Sequence, residues 1–266
     1  MNFSALRAFI VDIDGTLWRG HTPLPGLNDL FNHFLRNDLA FVVASNNTSE
    51  TPAEYWRRLY DLGVELSPKQ VMTAGAATVD YLEQEFNPGT EIYVLGEPAL
   101  RKIIRSAGFA LAPDGRRHVE AVVVGGDSRL TYAKLKNAIL HVQQGAAFIG
   151  TNPDLLVPTE EGLVPEAGTI LAAIQAATGI EPTVIGKPAL PLFQLALARL
   201  GSFAHETAVV GDRLETDILG AQRAGIRSIL VTTGVDSASS VTTKRITPDA
   251  VVSGLPELVK LLANGG

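Results

Sequence analysis

The amino-acid sequence predicts an α/β protein, a doubly wound and mainly parallel sheet interrupted by a smaller inserted α/β domain. Three observations predict it. Short apolar runs of β-forming residues end in polar tips and are followed by segments of helical periodicity, the alternation of βαβ units. The same alternation repeats on a smaller scale from Ile92 to Thr178, beyond a break at Asn87-Pro88-Gly89. From Thr183 the strong pattern returns. These breaks divide the chain into a core over residues 1–82 and 181–266 and an inserted domain over 83–180.

The core opens with Arg7-Ala8-Phe9-Ile10-Val11-Asp12-Ile13-Asp14-Gly15-Thr16-Leu17. Phe9, Ile10 and Val11 form an unbroken apolar run, the pattern of a strand covered on both faces. Asp12 and Asp14 then fall at its carboxyl tip, the edge where open α/β sheets bind ligands. No basic residue follows them until Arg19, so the two carboxylates repel unless a cation or a shared proton intervenes. A hard divalent cation with oxygen ligands meets that need. A plain turn explains an isolated DxDG equally well. Position at the end of a buried strand, with no downstream glutamate at EF-hand spacing, favours the site.

Leu27, Leu30, Phe31, Phe34 and Leu35 recur at helical spacing. Residues 39–44 read as a second buried strand ending in Ser45-Asn46-Asn47-Thr48, and Thr51-Pro52 opens a helix to about Leu62. Parallel, right-handed connections bring both polar tips to one edge. Residues 74–86 read as a helix. The inserted domain then reads as strands at 92–95, 121–124 and 147–149, with helices at 98–107, 132–144 and about 167–178. In the second core segment, Val184-Ile185 leads into Gly186-Lys187-Pro188, and Ala208-Val209-Val210 into Gly211-Asp212. A helix over about 214–224 closes at Gly225, and strands at 229–231 and 250–252 precede a last helix from Leu255.

The 266 residues are 46% hydrophobic, ample for a sizeable core. With 22 basic and 28 acidic residues the formal charge is −6, without runs of like charge, which argues against nucleic-acid or polyanion partners and for a small molecule. There is no cysteine, hence no thiolate or disulfide chemistry. Met1-Asn2-Phe3-Ser4 lacks the basic-then-apolar pattern of a leader, and no stretch reaches membrane-span length. A cytoplasmic protein without membrane partners is the expectation.

Four strand tips thus offer Asp12 with Asp14, Ser45 with Asn46 and Asn47, Lys187, and Asp212 with Asp217. Lys187 alone reads as a surface lysine, and Asp212 and Asp217 alone as helix N-terminal acids. Grouped on one sheet edge, Asp212 becomes a third oxygen ligand and Asp217, one turn into its helix, a carboxylate behind it.

In order and character, Asp12-Ile13-Asp14-Gly15-Thr16, Ser45-Asn46-Asn47, Gly186-Lys187-Pro188 and Gly211-Asp212-Arg213-Leu214-Glu215-Thr216-Asp217 resemble the motifs of the haloacid dehalogenase superfamily of phosphatases. Gly150-Thr151-Asn152-Pro153-Asp154, Thr178-Gly179-Ile180-Glu181-Pro182 and the stretch from Leu214 to Gly234 are similar to its NagD-type, p-nitrophenyl phosphatase-like branch. The resemblance implies a Rossmann-like core with an inserted α/β cap domain and hydrolysis of small-molecule phosphate monoesters through an aspartyl-phosphate. It assigns Asp12 as nucleophile and Asp14 as acid and base. Mg2+ falls to Asp12, the Asp14 main-chain carbonyl and Asp212. The phosphoryl oxygens fall to Ser45, the Asn46 and Asn47 backbone and Lys187. Thr16 is read as ordering the acidic loop. A homodimer through the cap is a compatible assembly. One departure is Pro165-Glu166-Ala167-Gly168, where the branch usually has glycine after proline.

A phosphotransferase or mutase shares the same intermediate and differs only in the acceptor of the phosphoryl group. A non-catalytic phospho-ligand sensor would gain nothing from Asp14, and a dehalogenase needs neither the metal nor that second aspartate. The five histidines, among them His21 just past the acidic loop, show no metal-ligand spacing. Arg129 reads as solvated. The loop over 155–166 carries Glu160, Glu161 and Glu166 and no basic residue, which predicts neutral phosphorylated polyols, sugars or aryl phosphates over phosphoglycolate.

Overall fold

The computed structural model of the chain describes residues 3–159 and 162–264. It forms two compact units: one of the described residues up to Ser45, 52–72 and from Lys187 onward, the other of 46–51 and 73–186. The inserted unit therefore begins before residue 83 and ends after residue 180, the bounds read from the sequence. Packing and strand pairing are the reasons. The helix Ala74–Glu85 sets Gly75 against Leu100 and Ile103 of the inserted unit. The short strand Thr183–Val184 pairs with Ala147–Gly150, Thr183 opposite Ile149.

The core unit is built on a six-stranded sheet in the order Ala250–Val252, Arg227–Val231, Thr207–Gly211, Ala8–Asp12, Ala40–Ser45, Val71–Thr73. Pairing across the first five is parallel, with Val11 opposite Val210 on one side and Val43 on the other. Every residue of Ala8–Asp12 is buried, as its apolar run requires. This strand is also the switch point of the sheet. The chain grows outward from it first through Ala40–Ser45 and later, on its other side, through Thr207–Gly211. The loops leaving these strands diverge, and a crevice opens at their carboxyl ends.

The helix Leu27–Arg36 buries Leu27, Leu30, Phe31 and Phe34, each burial worth roughly 2 kcal/mol. Phe34 stacks on Phe9 with ring centroids 4.5 Å apart, which fixes the opening strand from its flank. Leu35, selected by the same spacing, lies at the stripe's edge and is exposed. Two differences from the sequence reading bear on this sheet and its edge. Val71–Thr73 adds a strand too short for a periodicity signal. Residues 214–224 form a π-helical turn, Leu214–Ile218, before the α-helix Leu219–Arg223, with Ile218 N–H bonded back to the Arg213 carbonyl.

The inserted unit carries a parallel five-stranded sheet ordered Thr183–Val184, Ala147–Gly150, Ala121–Val124, Glu91–Leu95, Ala110–Leu111. Its helices are Ala74–Glu85, Pro98–Ser106, Tyr132–Gln143 and Ala167–Thr178. The stretch 155–166, expected as a loop, contains an antiparallel hairpin of Leu156–Thr159 and Gly162–Pro165. Glu160 and Glu161 lie outside the described residues. Glu166 does not stand out as a free charge: its carboxylate is folded against Gly126, and burial raises its pKa. Among the described residues no helix is long and apolar enough to cross a membrane.

Candidate active site

Asp12 is the last residue of the central core strand and is buried. Its Oδ1 accepts a 2.5 Å hydrogen bond from Lys187 Nζ, which also donates to Asp217 Oδ1 at 2.7 Å and to the Ala44 carbonyl at 3.0 Å. Lys187 is buried, not on the surface. Burial opposes its charge, but Asp12 and Asp217 outweigh that effect and hold the ammonium above the ordinary lysine range.

Asp212 follows the strand Thr207–Gly211 and is seated between two glycines. Its Oδ2 accepts the Val235 N–H at 2.6 Å. A Cβ on Gly15 would lie 2.3 Å from that oxygen, and one on Gly234 1.8 Å, so neither position admits a side chain while Asp212 keeps its place. Gly15 also adopts φ +87°, the left-handed region. Asp217 is brought back over the strand end by the π-helical turn. Its Oδ2 takes the Arg213 N–H at 3.2 Å, and it approaches Gly211 so closely that a Cβ there would sit 2.3 Å from its carboxyl carbon.

Asp12, Asp212 and Asp217 each offer an oxygen within 4.8 Å of the others. Burial raises the Asp12 pKa well above its ordinary value despite Lys187, and burial with the charge of Asp217 raises that of Asp212 to about 7. Three carboxylates face one ammonium. Ionised, they are short of positive charge by two units. Asp12 Oδ2 and Asp212 Oδ1 are buried and accept no hydrogen bond, whereas both Asp217 oxygens are used. Orphaned carboxylate oxygens in an electron-rich pocket fit a divalent cation bound through Asp12 and Asp212, with Asp217 holding Lys187.

Asp14, two residues on, is exposed. Its Oδ1 accepts Trp18 Nε1–H at 2.9 Å and its Oδ2 the Ser45 hydroxyl at 3.3 Å. Trp18 is buried, stacked on Tyr55 and covered by the Arg58 guanidinium 3.9 Å from its ring centroid. The loop is fixed by its main chain: Leu17 N–H reaches the Ile13 carbonyl and Gly15 N–H the Trp18 carbonyl, both at 2.8 Å. Thr16, expected to order this loop, is fully buried and its hydroxyl makes no hydrogen bond, so Trp18 and the Ile13 carbonyl do that work. The Thr233 hydroxyl adds a 2.7 Å bond to the Gly15 carbonyl.

Ser45, at the end of the neighbouring strand, thus reaches Asp14. Asn46 and Asn47 continue the chain into the other unit, where Asn46 Nδ2 donates to Asp154 Oδ2 and the Asn46 carbonyl accepts from Asn152 Nδ2. Asn47 Oδ1 caps Ser49. Their side chains are engaged there. His21 is exposed on the turn between Trp18–Arg19 and Thr22–Pro23. Sequence reasoning gave no role to Trp18, Ala44, Gly234 or Val235. A Thr-Thr-Gly tip after the strand Arg227–Val231 was the available signal for Gly234.

The chain is similar to known proteins. Residues 9–110 match the family model described as haloacid dehalogenase-like hydrolase, and residues 184–258 one described as HAD-hydrolase-like. The acid sugar phosphatase of Staphylococcus aureus is 34% identical over 253 residues, 95% of this chain and 96% of that protein. The 4-nitrophenylphosphatase of Thermotoga maritima superposes with a TM-score of 0.91 at 34% identity, covering 98% of both chains. NagD of Escherichia coli gives a TM-score of 0.84 at 30% identity over 95% of this chain and 98% of that one. The chain belongs to the haloacid dehalogenase-like hydrolases, in their NagD-type phosphatase branch.

Proposed function

We propose that the chain is a magnesium-dependent phosphatase that hydrolyses small-molecule phosphate monoesters through a phosphoryl group carried on Asp12. The Asp12 carboxylate carries the proposal: Lys187 fixes one of its oxygens, and the other is buried and unpaired at the end of the central strand. A carboxylate so restrained presents two oriented oxygens, one to attack phosphorus and the other to face the cation. Mg2+, held by Asp12, Asp212 and the Asp14 main-chain carbonyl, would supply the positive charge that lets a phosphate dianion approach these acids.

In the first step an Asp12 oxygen forms the bond to phosphorus as the ester P–O bond breaks, and Asp14 gives its proton to the departing alkoxide. In the second, water attacks phosphorus, Asp14 takes the water proton, and inorganic phosphate leaves with Asp12 restored. Asp14 suits both roles because it is exposed while Trp18 and Ser45 hold its oxygens in place. Lys187, Ser45 and the main chain of Asn46 and Asn47 balance charge on the phosphoryl oxygens. The relatives' names, acid sugar phosphatase and 4-nitrophenylphosphatase, support phosphorylated sugars and aryl phosphates as substrates. Exposed Tyr132, Leu155 and Leu163 of the inserted unit suit a homodimer through that unit.

Metal removal tests the proposal. Dialysis against EDTA is expected to abolish hydrolysis of p-nitrophenyl phosphate, and added Mg2+ to restore it. Undiminished turnover after complete chelation refutes the metal's part.

A further inference from the structure

The inserted unit contains a cavity of about 400 Å3 lined wholly by its own residues. Counted along the chain, its five strands lie in the order fifth, fourth, third, first, second. Connections leaving the first and third strands therefore diverge, and a crevice opens at their carboxyl ends, where sheets of this kind take ligands. Gly96 and Pro98, after Glu91–Leu95, and Asp127 and Arg129, after Ala121–Val124, line the cavity. The two loops are tied together: Glu97 N–H donates to the Gly126 carbonyl at 3.0 Å, and Ser128 N–H to Glu97 Oε1 at 2.7 Å.

The lining is cationic. Arg101, Lys102, Arg105, Arg129 and Lys134 face two carboxylates, Asp114 and Asp127. Asp127 is occupied by Lys134 at 2.7 Å, and Asp114 accepts the Tyr93 hydroxyl at 2.8 Å. Arg101 donates to the Val94 carbonyl at 2.6 Å. Lys102, Arg105 and Arg129 form no ion pair among the described residues. Three uncompensated cations in one concavity raise its potential and favour an anion of more than one charge. Tyr93, the aromatic member of the lining, is buried against His141, with ring centroids 5.3 Å apart, and is not free to stack a base. Recognition there is by charge and guanidinium geometry.

We propose that this crevice is a second anion site, distinct in its residues from the core cluster, that takes a small multiply charged phosphate compound, a pyrophosphate or bisphosphate group, through Lys102, Arg105 and Arg129. The site is absent from the sequence reading, in which Arg129 is a solvated side chain. The fold gathers its cations from two separate segments, the helix Pro98–Ser106 and the loop after Ala121–Val124.

Calorimetric titration of the full chain with inorganic pyrophosphate tests it, in EDTA and with Asp12→Asn so that nothing is hydrolysed. Saturable binding of one pyrophosphate per chain is expected, with inorganic phosphate weaker. The exposed pair Arg105→Ala/Arg129→Ala should weaken pyrophosphate binding about tenfold or more with an unchanged melting temperature. In the otherwise native enzyme the same pair should leave kcat/KM for p-nitrophenyl phosphate within about twofold. Pyrophosphate binding indifferent to the double substitution, or no saturable binding at physiological salt, overturns the proposal. A collapse of kcat/KM also overturns it, because the cavity would then be part of the substrate site.

Discussion

The core and inserted units solve the same topological problem with opposite electrostatics. Both place a parallel sheet under two diverging loops and so open a crevice at the carboxyl edge. In the core the loops carry Asp12, Asp212 and Asp217 around one buried lysine. In the inserted unit they lead to arginines and lysines that remain largely in solvent. Sheet order decides where a ligand can sit, and a few loop residues decide its sign. Burial separates the two further. The core acids are desolvated and need a cation to remain ionised, while the inserted unit's cations retain water and gain little from forming the fold.

If the core edge performs the chemistry, its variants should lose turnover while those of the other crevice do not. Asp12→Asn is expected to lower kcat on p-nitrophenyl phosphate by about 10^4-fold or more without altering the far-UV spectrum. Activity within tenfold of the unmodified enzyme would detach the chemistry from the central strand. Asp14→Asn should be next in size and should depend on the leaving group. In single-turnover phosphorylation an alkyl phosphate is expected to lose about 10^2- to 10^4-fold, and p-nitrophenyl phosphate far less, since nitrophenolate departs without a proton. Equal losses would remove the acid role.

Gly234→Ala sharpens the contrast in a different way, because it touches no reacting group. Its methyl would overlap the Asp212 carboxylate, so the expected effect is a Mg2+ requirement raised about tenfold or more, with kcat recovered at saturating metal. An unchanged Mg2+ dependence would show that Asp212 does not hold the ion.

Much of the core site is legible in the sequence because each acid or lysine stands at the end of an apolar run or beside a glycine, and parallel topology does the rest. Asp12, Asp14, Lys187 and Asp212 are singled out this way. Gly234 is not, since its contribution is a missing Cβ whose value appears only once Asp212 is packed against it. Trp18 carries no site signal in the sequence, and it is fully buried. Its indole N–H toward Asp14 is invisible until the turn is closed. The hairpin around residues 156–165 was hidden by Pro158, Gly162 and Pro165, which read as loop punctuation. The π-helical turn at Leu214–Ile218 has ordinary helical spacing, and what it achieves, Asp217 set against Lys187 and the Arg213 N–H, shows only in the structure.

The most direct test is to trap the phosphoryl group. Asp14→Asn enzyme mixed with p-nitrophenyl phosphate and Mg2+ and quenched in acid should release nitrophenol in a burst. Peptide mass spectrometry should then place one phosphoryl group per chain on Asp12, because the slowed second step lets the intermediate accumulate. A burst with the phosphoryl group on any other residue, or turnover with no covalent phosphate at any quench time, would contradict the nucleophilic role of Asp12.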